Sequence, residues 1–326
     1  MTSYLSQKIK LVSFFSMILV VVFHANIIIL SEGTSRFLQV LLTTELTRIN
    51  VPMFFVISGY LFFRCCDGSR AFFQYKMKHR IKSLVVPYLI LTIIGGIFWA
   101  MFNETEIIET VFNSVLLSPK LFYQLWFLHD LIIMVFLSPL LYLVLKKASY
   151  LWVVVCYLWI TGHYWEILNY ESLFFWGMGG IIALHFPILA EYKSTNIKGL
   201  VVSALIIWIL FSFFIAYTGR PFYIHGMNLL MGIYVIWGGY DIIYPLINHY
   251  LPYIHLTKYS FFLYLFHEPV LTGIKKLMLL IVELNQFTSL AIYITAPILT
   301  IFIVLYSGMC LKKYVPSLFQ IINGGR

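Results

Sequence analysis

Four groups of side chains in this sequence could do chemistry, and all lie in or beside apolar runs. His24 closes the first such run, Arg48 opens the second, Trp126, His129 and Asp130 cluster in a third, and His267 and Glu268 stand together in a late one. An ionisable group in hydrocarbon costs several kcal/mol unless it faces a protein interior or a water-filled cavity, so these residues form the starting hypothesis for a site. Imidazole exchanges a proton near neutral pH and suits acid–base work. Asp130 can orient a histidine or neutralise Arg48, because a buried carboxylate needs a partner, and the sequence leaves both pairings open. His267 and Glu268 are adjacent, so on a helix they point about 100° apart, and each must find its partner on another element. Pro269 follows them and frees a main-chain carbonyl, which is tolerable where it lines a cavity. For His267, a purely structural hydrogen bond stands beside the functional role.

The elements that must position these groups follow from composition. Of 326 residues, 61% are hydrophobic, 18% aromatic and only 11% charged, more apolar surface than a soluble core of this size buries. An apolar helix needs about 20 residues to cross a hydrocarbon layer of ~30 Å. The apolar runs predict an all-α, polytopic membrane domain over residues 1–326, with about ten transmembrane helices near 9–30, 48–65, 83–102, 122–145, 148–164, 172–190, 198–217, 224–243, 258–281 and 288–311. The first run is long and lacks a small-residue cleavage pattern, so a retained helix is expected.

Charge sets the orientation. With the N-terminus inside, sixteen of the 22 basic residues fall on the inner side, Arg326 among them; only Arg36, Arg48, Lys120, Arg220, Lys275 and Lys276 fall outside. Both termini are therefore expected in the cytoplasm. The net charge of +9 reads as topology and contact with anionic membrane lipids and requires no nucleic-acid partner. On the inner face, the segment from Arg64 to Lys82 holds six basic residues and reads as positive-inside topology, as a docking surface for a phosphorylated cofactor, or as both. Cys65, Cys66, Asp67 and Gly68 form its turn. The four cysteines offer neither a disulfide framework nor metal spacing, and no metal is expected. His79, His249 and His255 fall in inner loops, His163 and His225 at outer ends and His185 near an inner end, where interface placement accounts for them.

Read together, the motifs resemble the membrane-bound acyltransferase 3 family, which includes bacterial O-acetyltransferases of surface glycans. The matching pieces are Val20-Val21-Val22-Phe23-His24, the stretch from Arg48 through Val51-Pro52-Met53-Phe54-Phe55 to Ser58-Gly59-Tyr60, and a basic turn Lys78-His79-Arg80-Ile81-Lys82 leading to Val86-Pro87-Tyr88. Leu125-Trp126-Phe127-Leu128, Ser138-Pro139-Leu140 and Tyr264-Leu265-Phe266-His267-Glu268-Pro269 complete them. Each is weak alone; their order and spacing carry the match. The family's first helix usually holds an arginine eleven positions before the histidine, and here that position is Ser13. Eleven residues rise about 16 Å and return to nearly the same helix face. Lys10 lies about 40° off that face and is the candidate stand-in, although an ammonium lacks the planar donor fork of arginine.

The resemblance implies transfer of an acyl group, most often acetyl from cytoplasmic acetyl-CoA, to a hydroxyl of a glycan or glycolipid at a bacterial cell membrane. His24 becomes the candidate general base, with an acyl-histidine intermediate as the other mechanism. Arg48 stabilises an oxyanion or an anionic acceptor, or else snorkels to the interface. Lys10, Lys78, Arg80 and Lys82 are the candidates for the acetyl-CoA phosphates, and Asp130 joins the catalytic set. Trp126, His129, His267 and Glu268 are the candidates for the acceptor, with an interfacial anchor as the alternative for Trp126. Two other classes fit the same features: a transporter or flippase without chemistry, and an inactive family member that binds glycan precursors, for which Ser13 is the best support.

Overall fold

A computed structural model describes residues 1–117, 119–163, 167–219, 222–247 and 255–325. Arg220, His249 and Arg326 lie outside the described residues. No strand occurs among the described residues. In chain order the helices are α1 (Ser3–His24), α2 (Gly33–Val40), α3 (Asn50–Phe63), α4 (Arg70–Arg80), α5 (Val86–Asn103), α6 (Ile107–Leu116), α7 (Trp126–Lys147) and α8 (Trp152–Ile160). There follow α9 (Tyr170–His185), α10 (Pro187–Glu191), α11 (Lys198–Thr218), α12 (Phe222–Ile247), α13 (Ser260–Ile281), α14 (Gln286–Tyr314) and α15 (Pro316–Ile322).

Among the described residues, seven helical stretches are long and apolar enough to cross a membrane, against the ten expected. The three runs that make the difference are α8, with 9 residues, α9, with 16, and α13, which has 22 but carries Glu268, Lys275 and Lys276. Exposed Leu200, Ile206, Leu210 and Phe214 give α11 an outward apolar face, as lipid contact requires. The protein is a multi-pass, all-helical membrane protein.

Two boundaries depart from the sequence reading. The helical stretch containing the Arg48 motif begins at Gly33, passes through a wider π-type turn at Leu41–Leu46 and breaks around Thr47 before α3. The basic run Lys78–Lys82 is no turn: α4 continues through a π-type segment at Ile81–Val85 into α5, so its charges lie along a helix. The turn expected at Cys65–Gly68 is present, between α3 and α4, where Gly68 adopts φ 80°.

The most extensive packing joins α3 to α9, and glycine permits it. A Cβ on Gly59 would collide with the carbonyl oxygen of Trp176, and one on Gly179 with that of Val56, so the two backbones touch directly. Polar pairs tie the other helices. Lys8, fully buried in α1, meets Asp241 of α12 at 2.7 Å and lies over the Trp237 ring, while the Ser194 amide donates to the same carboxylate at 2.9 Å and the Tyr4 hydroxyl also donates to it. Ser212 of α11 donates to Asn228 of α12, whose amide reaches Glu45. In hydrocarbon such links satisfy groups that would otherwise cost several kcal/mol each.

Candidate active site

A cavity of about 830 Å³ runs beside α1. Lys10, Ser13, Met17, Val20 and His24 recur every three or four residues and present one stripe of the helix to it. From Lys10 to His24 the helix rises about 21 Å. One end is lined by Lys10, Ser13, Thr257, Lys258 and Ser260, the other by His24, Arg48, Tyr123 and Trp126, and the wall between includes Met17, Val20, Phe54, Leu128 and Leu131.

The His24 end is built where α1 stops. The amide of Ala25 donates to the carbonyls of Val21 and Val22, and the Lys275 ammonium donates to the His24 carbonyl at 2.7 Å, a cation on a helix C-terminus. Nδ1 of His24 lies 2.9 Å from the Tyr123 hydroxyl and 3.6 Å from Oε2 of Glu268, and its ring centroid is 5.3 Å from that of His267. Thr272, one turn beyond Glu268, donates to Oε1 at 3.0 Å. His267 and Glu268 therefore do not face each other but meet at His24, reached from a different helix.

Pro269 accounts for the placement of Tyr123. It has no amide for the carbonyl four residues back, that of Leu265, and Gln124 donates its side-chain amide there at 3.0 Å. The Tyr264 hydroxyl in turn donates to the Gln124 carbonyl at 2.8 Å. These two bonds fix the short segment Tyr123–Leu125 against α13 and bring the tyrosine hydroxyl to His24.

Arg48 pairs with Glu171 of α9 at 3.2 Å, and Trp159 donates to the same carboxylate at 3.1 Å. Asp130 is engaged elsewhere: Ser172 donates to it at 2.5 Å and His129 Nδ1 lies 3.6 Å away, and neither Asp130 nor His129 lines the cavity. Trp126 does line it. Lys78 and Lys82 are exposed on the α4–α5 helix, and Arg80 borders a separate small hollow with Met77 and Ile132. The cations lining the Lys10 end are Lys10 itself and Lys258, both exposed at its mouth and neither in an ion pair among the described residues. Lys8 points away from the cavity into its pair with Asp241.

Sequence reasoning did not single out Tyr123, Gln124, Glu171, Lys258 or Lys275 for this site. Only Lys275 left a trace: seven residues after Glu268, it shares that residue's helix face, while Lys276 next to it is exposed. Of the remaining histidines, His185 bonds the Leu145 carbonyl, His163 lies against Thr161 and His225 approaches Glu45 at 3.9 Å.

Chemically, the His24 end presents an imidazole backed by a hydroxyl and a carboxylate, the arrangement that holds a base in one tautomer. Among the described residues, His24, His267 and Glu268 also form the one group of three whose ligand atoms lie close enough to share a metal ion, within 4.8 Å of one another. No curated protein and no solved structure matches the chain. The family model described as an acyltransferase domain, of the acyltransferase 3 type, matches residues 7–309, and the chain belongs to that family: it is a multi-pass membrane acyltransferase.

Proposed function

We propose that the protein moves an acetyl group from acetyl-CoA, entering at the Lys10 end of the cavity, to a hydroxyl of a glycan or lipid-linked glycan presented at the His24 end. The reading rests on one observation above all: a single cavity has at one mouth two lysines with no ion pair among the described residues, and at the other a backed histidine about 21 Å along α1. An extended thioester whose phosphates stay at Lys10 and Lys258 would carry its carbonyl along the apolar wall toward His24. Ser13 lines the same cavity, and in this reading the two lysines supply the charge that Ser13 does not. The Lys10 end then faces the cytoplasm of a bacterial cell, in keeping with the predominance of basic residues on that side.

His24 is the base. With its Nδ1–H directed at Tyr123 and Glu268, Nε2 keeps the lone pair. Nε2 takes the proton of the acceptor hydroxyl as that oxygen bonds to the thioester carbonyl carbon. The Glu268 carboxylate stabilises the imidazolium that results. Collapse of the tetrahedral intermediate breaks the carbon–sulfur bond, and the imidazolium returns the proton to the departing thiolate, leaving an ester, free CoA and neutral His24. Arg48, held by Glu171, lines the acceptor end as a fixed cation for the developing oxyanion.

The test is mass spectrometry of surface glycans from cells expressing the wild-type chain or His24→Ala at equal protein level, scoring acetyl esters removed by mild alkali. Esters in the wild type alone support the reading. Esters absent from both, in the native host glycan as well, reject it in favour of transport or binding. Loss of the general base is expected to cost about 10²–10⁴ in rate.

A further inference from the structure

The His24–His267–Glu268 group is built around a gap. Nδ1 of His267 lies 2.8 Å from the Tyr264 carbonyl and 3.2 Å from that of Leu263. A carbonyl only accepts, so Nδ1 carries the hydrogen and Nε2 carries a lone pair. His267 is 0% exposed, and its Nε2 has no hydrogen-bond partner among the described residues. Oε2 of Glu268, 4% exposed, makes no hydrogen bond of ordinary geometry among the described residues, although the Tyr123 hydroxyl interacts with that carboxylate and the His24 ring lies 3.6 Å from it. A buried acceptor without a donor and a buried carboxylate oxygen approached only at long range are costly, and both border the His24 imidazole.

What would satisfy them is a cation with room for three donors. Two imidazoles and one carboxylate form a zinc ligand set with a fourth position open, and a ligating histidine whose other nitrogen donates to a main-chain carbonyl is the usual support for such a site. Bonds of about 2.1 Å place tetrahedral ligands roughly 3.4 Å apart. His24 Nδ1 and Glu268 Oε2, 3.6 Å apart, are already at that spacing, and the widest separation in the group is 4.8 Å. Of the neighbouring cations, Arg48 pairs with Glu171, and Lys275 donates to the His24 carbonyl while its charge also acts on Glu268 without a direct ion pair among the described residues.

We propose that His24, His267 and Glu268 form a binding site for a zinc-class divalent cation, and that the ion inhibits the enzyme. The binding stands on the geometry alone; the inhibition rests on the function proposed above. A metal on Nδ1 forces the ring hydrogen onto Nε2, so the nitrogen that would take the acceptor's proton has no lone pair left. The same ion removes the Glu268 carboxylate from the imidazole. Zinc and productive acceptor binding therefore exclude each other at His24.

The experiment is equilibrium dialysis of the purified full-length protein in detergent against radioactive Zn²⁺, followed by the acyl-transfer assay on the same preparations. The wild type is expected to bind one Zn²⁺ per chain. His267→Gln and Glu268→Gln, each with a wild-type gel-filtration profile, are expected to bind at least ~10-fold more weakly, while His163→Gln and His185→Gln bind as wild type. Should either ligand variant misfold, Co²⁺ added to the wild type reads the site independently, by the intense visible absorption of a tetrahedral ion. No bound zinc, or zinc retained by both ligand variants, overturns the site. Zinc bound at the site with transfer unaffected overturns the inhibition. A protein that binds zinc through these residues yet transfers no acetyl group refutes the proposed function and leaves the metal site standing.

Discussion

α1 carries a buried ionisable side chain, Lys8, and a half-buried one, His24, and their surroundings are opposites. Around Lys8 the groups are closed on one another: the ammonium meets Asp241, which also accepts from Tyr4 and the Ser194 amide, and the Trp237 ring covers the charge. Around His24 they are open: the imidazole faces the cavity, and behind it His267 Nε2 has no donor among the described residues while Glu268 Oε2 is met only at long range by the ring. Burial alone therefore does not mark chemistry. A satisfied buried pair fastens helices together, whereas an unsatisfied group beside a cavity keeps bonding capacity for something that arrives.

The largest effect expected from breaking this contrast is on the closed side. Lys8→Met leaves Asp241 buried and unpaired, which should cost about 3–5 kcal/mol and lower the thermal unfolding midpoint in detergent; Lys8→Met with Asp241→Leu should recover much of the loss. If Lys8→Met unfolds like wild type while transfer is abolished, Lys8 belongs with the chemistry and the contrast fails. On the open side, Tyr123→Phe removes the hydroxyl at His24 Nδ1. A transfer rate lower by roughly ten-fold, with the unfolding midpoint unchanged, is expected of a bond that orients a base. A shift in stability without one in rate would make Tyr123 a packing residue.

The smallest effects belong to the far mouth of the cavity. Lys10→Ala and Lys258→Ala are each expected to raise KM for acetyl-CoA by a few-fold, about the ~1 kcal/mol of an exposed charge, with kcat little changed and the effect shrinking at high salt. Ser13→Arg in the double variant should restore part of it. Abolition by Lys10→Ala alone would instead give Lys10 the whole role, and no change in either variant would remove both lysines from donor binding.

How much of this was legible in the sequence depended on whether a feature was local. Apolar length revealed the long helices, and the cost of charge in hydrocarbon pointed to His24, Arg48, His267 and Glu268. The helix at Gly33–Val40 escaped because its mixed polar sequence does not read as a span, although Ser35 bonds Ser289 and Gln39 bonds the Ile27 amide within the bundle. The basic run Lys78–Lys82 suggested a turn because charge was read as loop, whereas its charges lie along the continuous helix from α4 into α5. Partners across the bundle left no trace. Arg48 finds Glu171, 123 residues away, and Asp130 finds Ser172, because helix packing decides which carboxylate stands beside which cation. Tyr123 is an aromatic residue among many until Gln124 fixes it beside His24.

That attachment has a consequence of its own. Pro269 deprives Leu265 of its helical donor, and the vacancy serves as an address: Gln124 is placed by main chain rather than by side-chain packing. The neighbouring tyrosine thus inherits the accuracy of a helix backbone. Replacing Pro269 by alanine would restore the helix's own amide as a rival for that carbonyl, so a substitution that makes α13 more regular would loosen the hydroxyl beside His24.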